Sequence, residues 1–353
     1  MKVYIHSFGI GLIEKSGVGR AIHHQSELLE RSGISVSTKR IKDSDFVHIN
    51  TVFPDSLLVC LFARMTGRKI IYYAHSTMED FRNSFIGSNL IAPLFKKWIT
   101  FCYNHGDLIV TPTEYSKSLL SEYGIRKPIV AVSNGIDNSF WNKPVKETVE
   151  SFKSKYNIDE SRPVVMSVGH MIERKGITDF IELAKKMPEI TFIWFGYTPP
   201  SVIPANIKEA IKGAPENLIF AGYVPKEELC AAYHSCDLFC FMSHEETEGI
   251  VVLEALSSGI PTIVRDIGVY EDWLSDNKNV KKCSTLSDFE NAVSELLHKD
   301  NSSLIKEGLR TAKSRDYKVI ANKLRRQYEL LLYKYILDSD KKSALSCELH
   351  PEC

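Results

Sequence analysis

The chain has 353 residues, no formal net charge, 44% hydrophobic and 25% charged residues. That length exceeds what one core usually serves, so two domains are expected, and the neutral balance argues against a dedicated nucleic-acid binder. The longest apolar runs, such as Leu57–Ala63, fall far short of the ~20 residues that span a bilayer. Eight scattered cysteines form no CxxC pair, and Met1 leads straight into a strand pattern, so neither a zinc ribbon nor a disulfide framework is indicated and the reading is cytosolic. Residues 1–140 are mildly basic, with 16 Lys+Arg against 12 Asp+Glu.

Short apolar strands alternate with amphipathic helical patterns, as in parallel sheets covered by helices on both faces. The first half predicts strands at Val3–His6, Phe46–Ile49, Lys69–Tyr73, Leu108–Thr111 and Ile129–Val132. It also predicts a helix over 18–31 and another opened by Thr113 as N-cap. Around Asn138–Asn157 the pattern turns polar and includes Pro144, which reads as a hinge. The rhythm resumes with strands at Val164–Val168, Thr191–Phe195, Leu218–Ala221, Asp237–Met242 and Pro261–Val264, and helices near 177–187, from 226 and over 249–257. Leu286–His298 and Asp316–Leu337 read as helices. The expected fold is therefore α/β, with two Rossmann-like doubly wound domains facing each other across a cleft. Residues 1–145 form the first and 146–315 the second; 316–338 is a helix that could cross back, and 339–353 a frayed tail. Such sheets bind ligands beyond the carboxyl ends of their strands.

Four clusters fall at those strand ends. Glu246 lies in the loop Ser243–Gly249, and Glu254 follows eight residues later inside the next helix. The helix start at Gly249-Ile250-Val251 offers unpaired amides to a phosphate. A carboxylate on either side could hold sugar hydroxyls and ribose hydroxyls, whereas a purely structural Glu254 would need a partner among Val251, Val252, Leu253 and Leu256. Arg174-Lys175-Gly176 places two cations where a diphosphate would need them, although an adjacent pair of this kind is often simply solvated. Ser16-Gly17-Val18-Gly19-Arg20 is a glycine loop that lets backbone approach a ligand. The neighbouring Gly9-Ile10-Gly11 does not continue into a dinucleotide fingerprint, since Glu14 occupies the third glycine position. His75 ends a first-half strand, where it serves either as a hydrogen-bonding residue or as a group facing the cleft. His75 and Glu246 are the catalytic candidates.

Together these residues resemble the family 4 retaining glycosyltransferases of the GT-B fold. The most specific part is the E-x7-E pair Glu246 and Glu254, supported by Arg174-Lys175-Gly176, Val132-Ser133-Asn134-Gly135-Ile136-Asp137 and Ser258-Gly259-Ile260-Pro261. The resemblance implies a UDP-sugar co-substrate, with Glu254 on its ribose, Glu246 on its sugar, and Arg174 and Lys175 on its diphosphate. It implies that Gly17 and Gly19 line the phosphates, that the helix start Gly249-Ile250-Val251 seats them, and that His75 lies near the anomeric carbon. It further implies retention of configuration, no metal and no other cofactor. Many members carry a Gly-Arg pair after the first strand of the second domain. Here the pair is Gly169-His170, so Arg174 must serve instead or His170 must take another role.

The segments 245–256, 264–274 and 15–25 look like those of bacterial glycolipid glycosyltransferases that extend glucosyl-diacylglycerol with a second hexose. The implied acceptor is monoglucosyl-diacylglycerol, and the implied location is the inner face of the plasma membrane, held peripherally at an anionic surface. Glu246 suits galactose and glucose alike. Phe81–Tyr103 bears on this directly, because Phe85, Leu94, Phe95, Phe101 and Trp98 accompany Arg82, Lys96 and Lys97. Such a helix could lie among lipid headgroups with Lys96, Lys97 and Trp98 as anchors, or pack as a core helix on its sheet. A soluble or polyprenyl-linked oligosaccharide acceptor, and a non-catalytic scaffold, are the alternative functions. The tail residues Cys347, His350 and Cys353 are not a metal site.

Overall fold

The computed structural model describes residues 1–6, 25–143 and 146–349. Six parallel strands form the first sheet: β1 (Lys2–Ile5), β2 (Ser35–Ser37), β3 (Phe46–Ile49), β4 (Lys69–Tyr73), β5 (Leu108–Thr111) and β6 (Ile129–Ala131). Six more form the second: β7 (Val164–Val168), β8 (Thr191–Phe195), β9 (Leu218–Gly222), β10 (Leu238–Phe241), β11 (Thr262–Arg265) and β12 (Lys281–Cys283). Central strands such as Val164-Val165-Met166-Ser167-Val168 are buried along their whole length, because helices cover both faces of a parallel sheet. Alternate residues feed opposite cores: Phe46 and Ile71 belong to one side of the first sheet, Val47 and Ile70 to the other.

The first sheet is ordered β2-β1-β3-β4-β5-β6 and the second β12-β11-β10-β7-β8-β9. These are the two common doubly wound orders, whose direction of winding reverses between β1 and β3 in the first and between β7 and β10 in the second. The crevices at those reversals are where the fold leaves room for ligands.

The helices are α1 (Pro54–Met65), α2 (Ser88–Tyr103), α3 (Glu114–Glu122), α4 (Lys146–Lys155), α5 (Ile177–Lys186), α6 (Ala205–Lys212), α7 (Lys226–Ser235), α8 (Ile250–Ser258), α9 (Leu286–His298), α10 (Ser302–Ser314) and α11 (Tyr317–Leu349). Thr113 caps α3 as expected, accepting from the Ser116 amide. The strands β2 and β12 and the helices α1, α6 and α10 are additions to the sequence reading. Ser35-Val36-Ser37 is a three-residue edge strand with no apolar run to announce it, and α1 carries apolar residues all round, which hides a helical period.

The expected hinge at 138–157 is instead structured. Asp137 caps a helical turn at Asn138–Trp141, α4 follows, and Trp141 and Phe152 sink into the second domain's core. Lone polar residues on the outer faces of two short helices gave the stretch its loop-like composition; Pro144 lies outside the described residues. The last helix, α11, extends to Leu349, so much of the presumed tail is helical backbone. Its early turns cross to the first domain, where Tyr317, Ile320, Leu324 and Tyr328 join the core built on Val3, Ile5 and Phe46. Among the described residues no helix is long and apolar enough to cross a membrane.

Candidate active site

The second domain's reversal brings two loops together. After β7 the chain makes a tight turn at Glu173–Lys175, and Gly176 follows with φ +74°. A side chain at Gly176 would meet the Met242 carbonyl oxygen at 2.3 Å, so only glycine lets this turn pack against the loop that leaves β10. That second loop carries Glu245, Glu246 and Glu248 and ends at Gly249, φ +82°, which starts α8 without any side-chain cap. The first amides of α8 are therefore open to an anion. A second donor points to the same place. The Tyr270 hydroxyl is fully buried, has no hydrogen-bond partner among the described residues, and stands 2.8 Å from where a Gly249 Cβ would be.

Lys175 Nζ donates to Glu246 Oε1, and the Ser243 hydroxyl donates to the same oxygen at 2.7 Å. Burial alone would raise the Glu246 carboxyl, but Lys175 and then Arg174 outweigh it and hold the group below the usual glutamate range. Glu246 is thus an ionised, nearly inaccessible acceptor for hydrogen bonds. Glu254 is buried on α8 and accepts from the Tyr233 hydroxyl at 3.2 Å, which supplies the partner that a buried carboxylate requires.

Arg174 was expected to face a diphosphate, yet its donors are directed largely at the first domain. Nη1 lies 2.8 Å from Asp80 Oδ1 and 2.8 Å from the Glu245 carbonyl, Nε donates to the Ser84 hydroxyl at 3.1 Å, and the backbone amide donates to the Asn83 carbonyl. His170, at the usual arginine position, sits with Nδ1 3.0 Å from the Tyr197 carbonyl.

The same loop is clamped from the first domain at three more points. Thr113 and Ser116 hydroxyls donate to the Thr247 carbonyl, Asn134 donates through its amide side chain to Glu248 at 2.7 Å, and the Tyr115 hydroxyl donates to Glu245 Oε2 at 3.1 Å. Glu245 is poised near neutrality. Burial, with Asp80 and Glu246 nearby, pushes its carboxyl up to about 7 against the Tyr115 hydrogen bond. Nothing in the sequence pattern singled out Glu245, Asp80 or Tyr270, because each acquires its role only when distant loops meet.

His75 follows β4 and is also buried, with Nε2 3.0 Å from Asn50 Oδ1 and 3.3 Å from the Gln25 amide nitrogen, and its ring stacked on Tyr73. Burial, and next His48, lower it to about 3, so it is a neutral imidazole suited to hydrogen bonding and poor at proton abstraction. The geometry thus brings Arg174, Lys175, Glu246 and the α8 start Gly249-Ile250-Val251 together, places Glu254 one turn deeper, and directs His75 to Asn50 and Gln25 of the first domain. Gly17 and Gly19 lie outside the described residues.

The three anchors expected on α2 divide. Lys97 is exposed. Lys96 instead turns its ammonium over the Tyr123 ring at 4.2 Å, and the half-buried Trp98 donates its indole N–H to the Val52 carbonyl at 2.7 Å, so both serve packing. What α2 and the turn before it show to solvent is mostly aliphatic, Ile86, Leu90, Ile91 and Leu94 with Leu90 at 86%, joined by Phe85 and Phe101. Helix α1 adds Leu58, Leu61, Phe62 and Met65. Exposed apolar side chains on two helices of one domain form a surface that soluble monomers rarely leave bare.

Residues 148–310 match the family described as glycosyl transferases group 1, and residues 23–140 match glycosyltransferase family 4. The processive diacylglycerol alpha-glucosyltransferase of Acholeplasma laidlawii is 38% identical over 93% of this chain and 98% of its own. The alpha-galactosylglucosyldiacylglycerol synthase of Streptococcus pneumoniae is 27% identical over 74% and 71%. In architecture the chain is similar to Anabaena HepE, solved with UDP and glucose, at a TM-score of 0.74 and 14% identity over 93% of this chain and 99% of that one. The match with sucrose-phosphate synthase of Thermosynechococcus elongatus is 0.78 at 13% identity, over 95% and 100%. With two doubly wound domains, an E-x7-E pair at the second reversal and these relatives, the chain belongs to the family 4 glycosyltransferases of the GT-B fold.

Proposed function

We propose that this protein transfers a hexosyl unit, galactose or glucose, from a UDP-sugar to a membrane glycolipid, with monoglucosyl-diacylglycerol as the acceptor. The observation that carries the acceptor half is the exposed apolar surface of α1 and α2 on the domain that faces the donor site. Basic Arg64, Arg82 and Lys97 stand exposed among those side chains, as suits an anionic lipid surface at the inner face of the plasma membrane. Support for the lipid class comes from the relatives named above, one a diacylglycerol glucosyltransferase and the other a galactosylglucosyldiacylglycerol synthase by name.

On the donor side, Lys175, the Tyr270 hydroxyl and the open amides of α8 at Gly249, Ile250 and Val251 receive the diphosphate, Glu246 the sugar hydroxyls and Glu254 the ribose. Gly17 and Gly19 complete the phosphate site, and His75 orients the sugar as a neutral hydrogen-bonding group. The reaction proceeds by front-side displacement. The acceptor oxygen bonds to the anomeric carbon on the face that the diphosphate leaves, and its proton passes to the departing phosphate oxygen. Configuration is retained. Lysine, phenol and helix dipole meet the developing charge in the role a metal plays elsewhere.

The deciding experiment is a matrix of UDP-glucose and UDP-galactose against diacylglycerol and monoglucosyl-diacylglycerol in anionic vesicles. Transfer to the glucosylated lipid from one donor is the expected result. Transfer to neither lipid from either donor would sink the proposal.

A further inference from the structure

The first sheet has its own reversal of winding, between β1 and β3, and a ligand is expected beyond the strand ends there as well. His6 follows β1, and Asn50 and Asp55 follow β3. His6 Nε2 lies 2.6 Å from Asp55 Oδ2, with the imidazole 5% and the carboxylate 25% exposed. The loop that carries Asn50 and Asp55 is held stiffly: Trp98 donates to the Val52 carbonyl, and the Thr51 and Ser56 hydroxyls share a hydrogen bond at 2.9 Å.

Beside His75, between the donor loop and the His6–Asp55 pair, two buried polar atoms lack partners among the described residues. Asn50 and Gln25, 3% and 0% exposed, flank His75, yet Asn50 Nδ2 and Gln25 Oε1 make no hydrogen bond. Leaving such atoms unpaired is costly in a buried site, and a ligand with both donors and acceptors would satisfy them. A carboxylate, an imidazole and two amides with open valences match the hydroxyl groups of a sugar ring.

The order of strand ends says which sugar. Thr113 and Asn134, after β5 and β6, are bonded to the donor loop. His75 comes next on β4, then Asn50 on β3, then His6 on β1. At about 4.8 Å per strand, the His6–Asp55 pair stands roughly 10 Å beyond His75, about the span of one hexose ring and a glycosidic bond. On its far side, Asp55 is the second residue of α1, and Leu58, three residues on, opens that helix's exposed apolar face.

We propose that His6, Asn50 and Asp55 form the subsite for the sugar that the acceptor lipid already carries, and so select a glycosylated lipid over bare diacylglycerol. This rests on the glycolipid reading above and goes beyond it by assigning the residues that recognise the headgroup. The test uses the full chain and its Asp55→Asn and His6→Gln variants, with monoglucosyl-diacylglycerol in vesicles as acceptor. Hydrolysis of the UDP-sugar to water, which needs no acceptor sugar, is the reference. The expected result is a ratio of transfer to hydrolysis lowered roughly tenfold to a hundredfold, carried mainly by the lipid's KM, as for lost hydrogen bonds in a polar subsite. An unchanged ratio in both variants, or equal losses in transfer and hydrolysis, would overturn it. Absence of transfer to any glycolipid by the unaltered protein would instead defeat the reading on which it rests.

Discussion

Glu245 and Lys175 make contrasting demands on the donor site. Glu245 keeps its proton up to about 7 in the folded protein, against an ordinary value of 4.5. Its contribution to stability is therefore complete below 4.5 and is lost as pH rises through about 7. Between pH 5 and 8, thermal melts of Glu245→Gln should lose less stability than the unaltered protein does, by about 2 kcal/mol. Donor KM should likewise climb above pH 7 only when Glu245 is present, because its charge then adds to that of Glu246 beside the diphosphate. Lys175→Ala should lower kcat roughly a hundredfold or more by removing the fixed cation from the departing diphosphate, whereas Glu254→Ala should act on donor KM by roughly tenfold or more. Steady-state kinetics in both substrates separates the two. Glu246, Glu254 and Lys175 could be picked out in the sequence because short motifs carry them, the E-x7-E pair on one loop and helix and Arg174-Lys175-Gly176 on another turn. Asp80 and Glu245 were not, since their character comes from burial and from Arg174, far from both in sequence, and Tyr270 was not, since its role comes from burial beside Gly249.

Among the elements, the short helical turn at Met78–Phe81 and the segment after it grip the second domain through Arg174. Removing one member of this partly buried Arg174–Asp80 ion pair leaves the other short of a partner, at roughly 1–3 kcal/mol. Asp80→Ala should accordingly lower the melting temperature, and small-angle scattering should show a larger radius of gyration as the domains part; Asp80→Ala with Arg174→Ala should recover part of the loss. The alternation of strands and helices was plain from apolar patterning, and β3, β4, β5, β7 and β8 occupy the residues the pattern indicates. Periodicity failed where an element is too short to show a period, as in β2, or apolar all round, as in α1. It also failed over 138–157, where the buried Trp141 and Phe152 and the half-buried Phe140, Val149 and Tyr156 are scattered among polar residues.

At the scale of the whole molecule, the exposed face of α1 and α2 is mainly apolar, with Lys97 at the surface but Lys96 and the Trp98 indole turned inward. Leu90→Ser combined with Leu94→Ser should reduce flotation with anionic vesicles by two orders of magnitude or so, at roughly 1.5–3 kcal/mol for each side chain withdrawn from an apolar phase, without lowering the melting temperature. Trp98→Phe should do the reverse, lowering the melting temperature while sparing much of the lipid affinity, because it loosens α2 from Val52. The crossing of α11 bears on a different event, the emergence of the chain from the ribosome. Tyr317, Ile320, Ala321, Leu324 and Tyr328 fill one side of the first sheet's core, and Tyr328 also hydrogen-bonds to His48 on β3. The domain translated first thus lacks part of its interior until the last helix has been synthesised, so its six strands must wait, partly uncovered, while the second domain folds ahead of it.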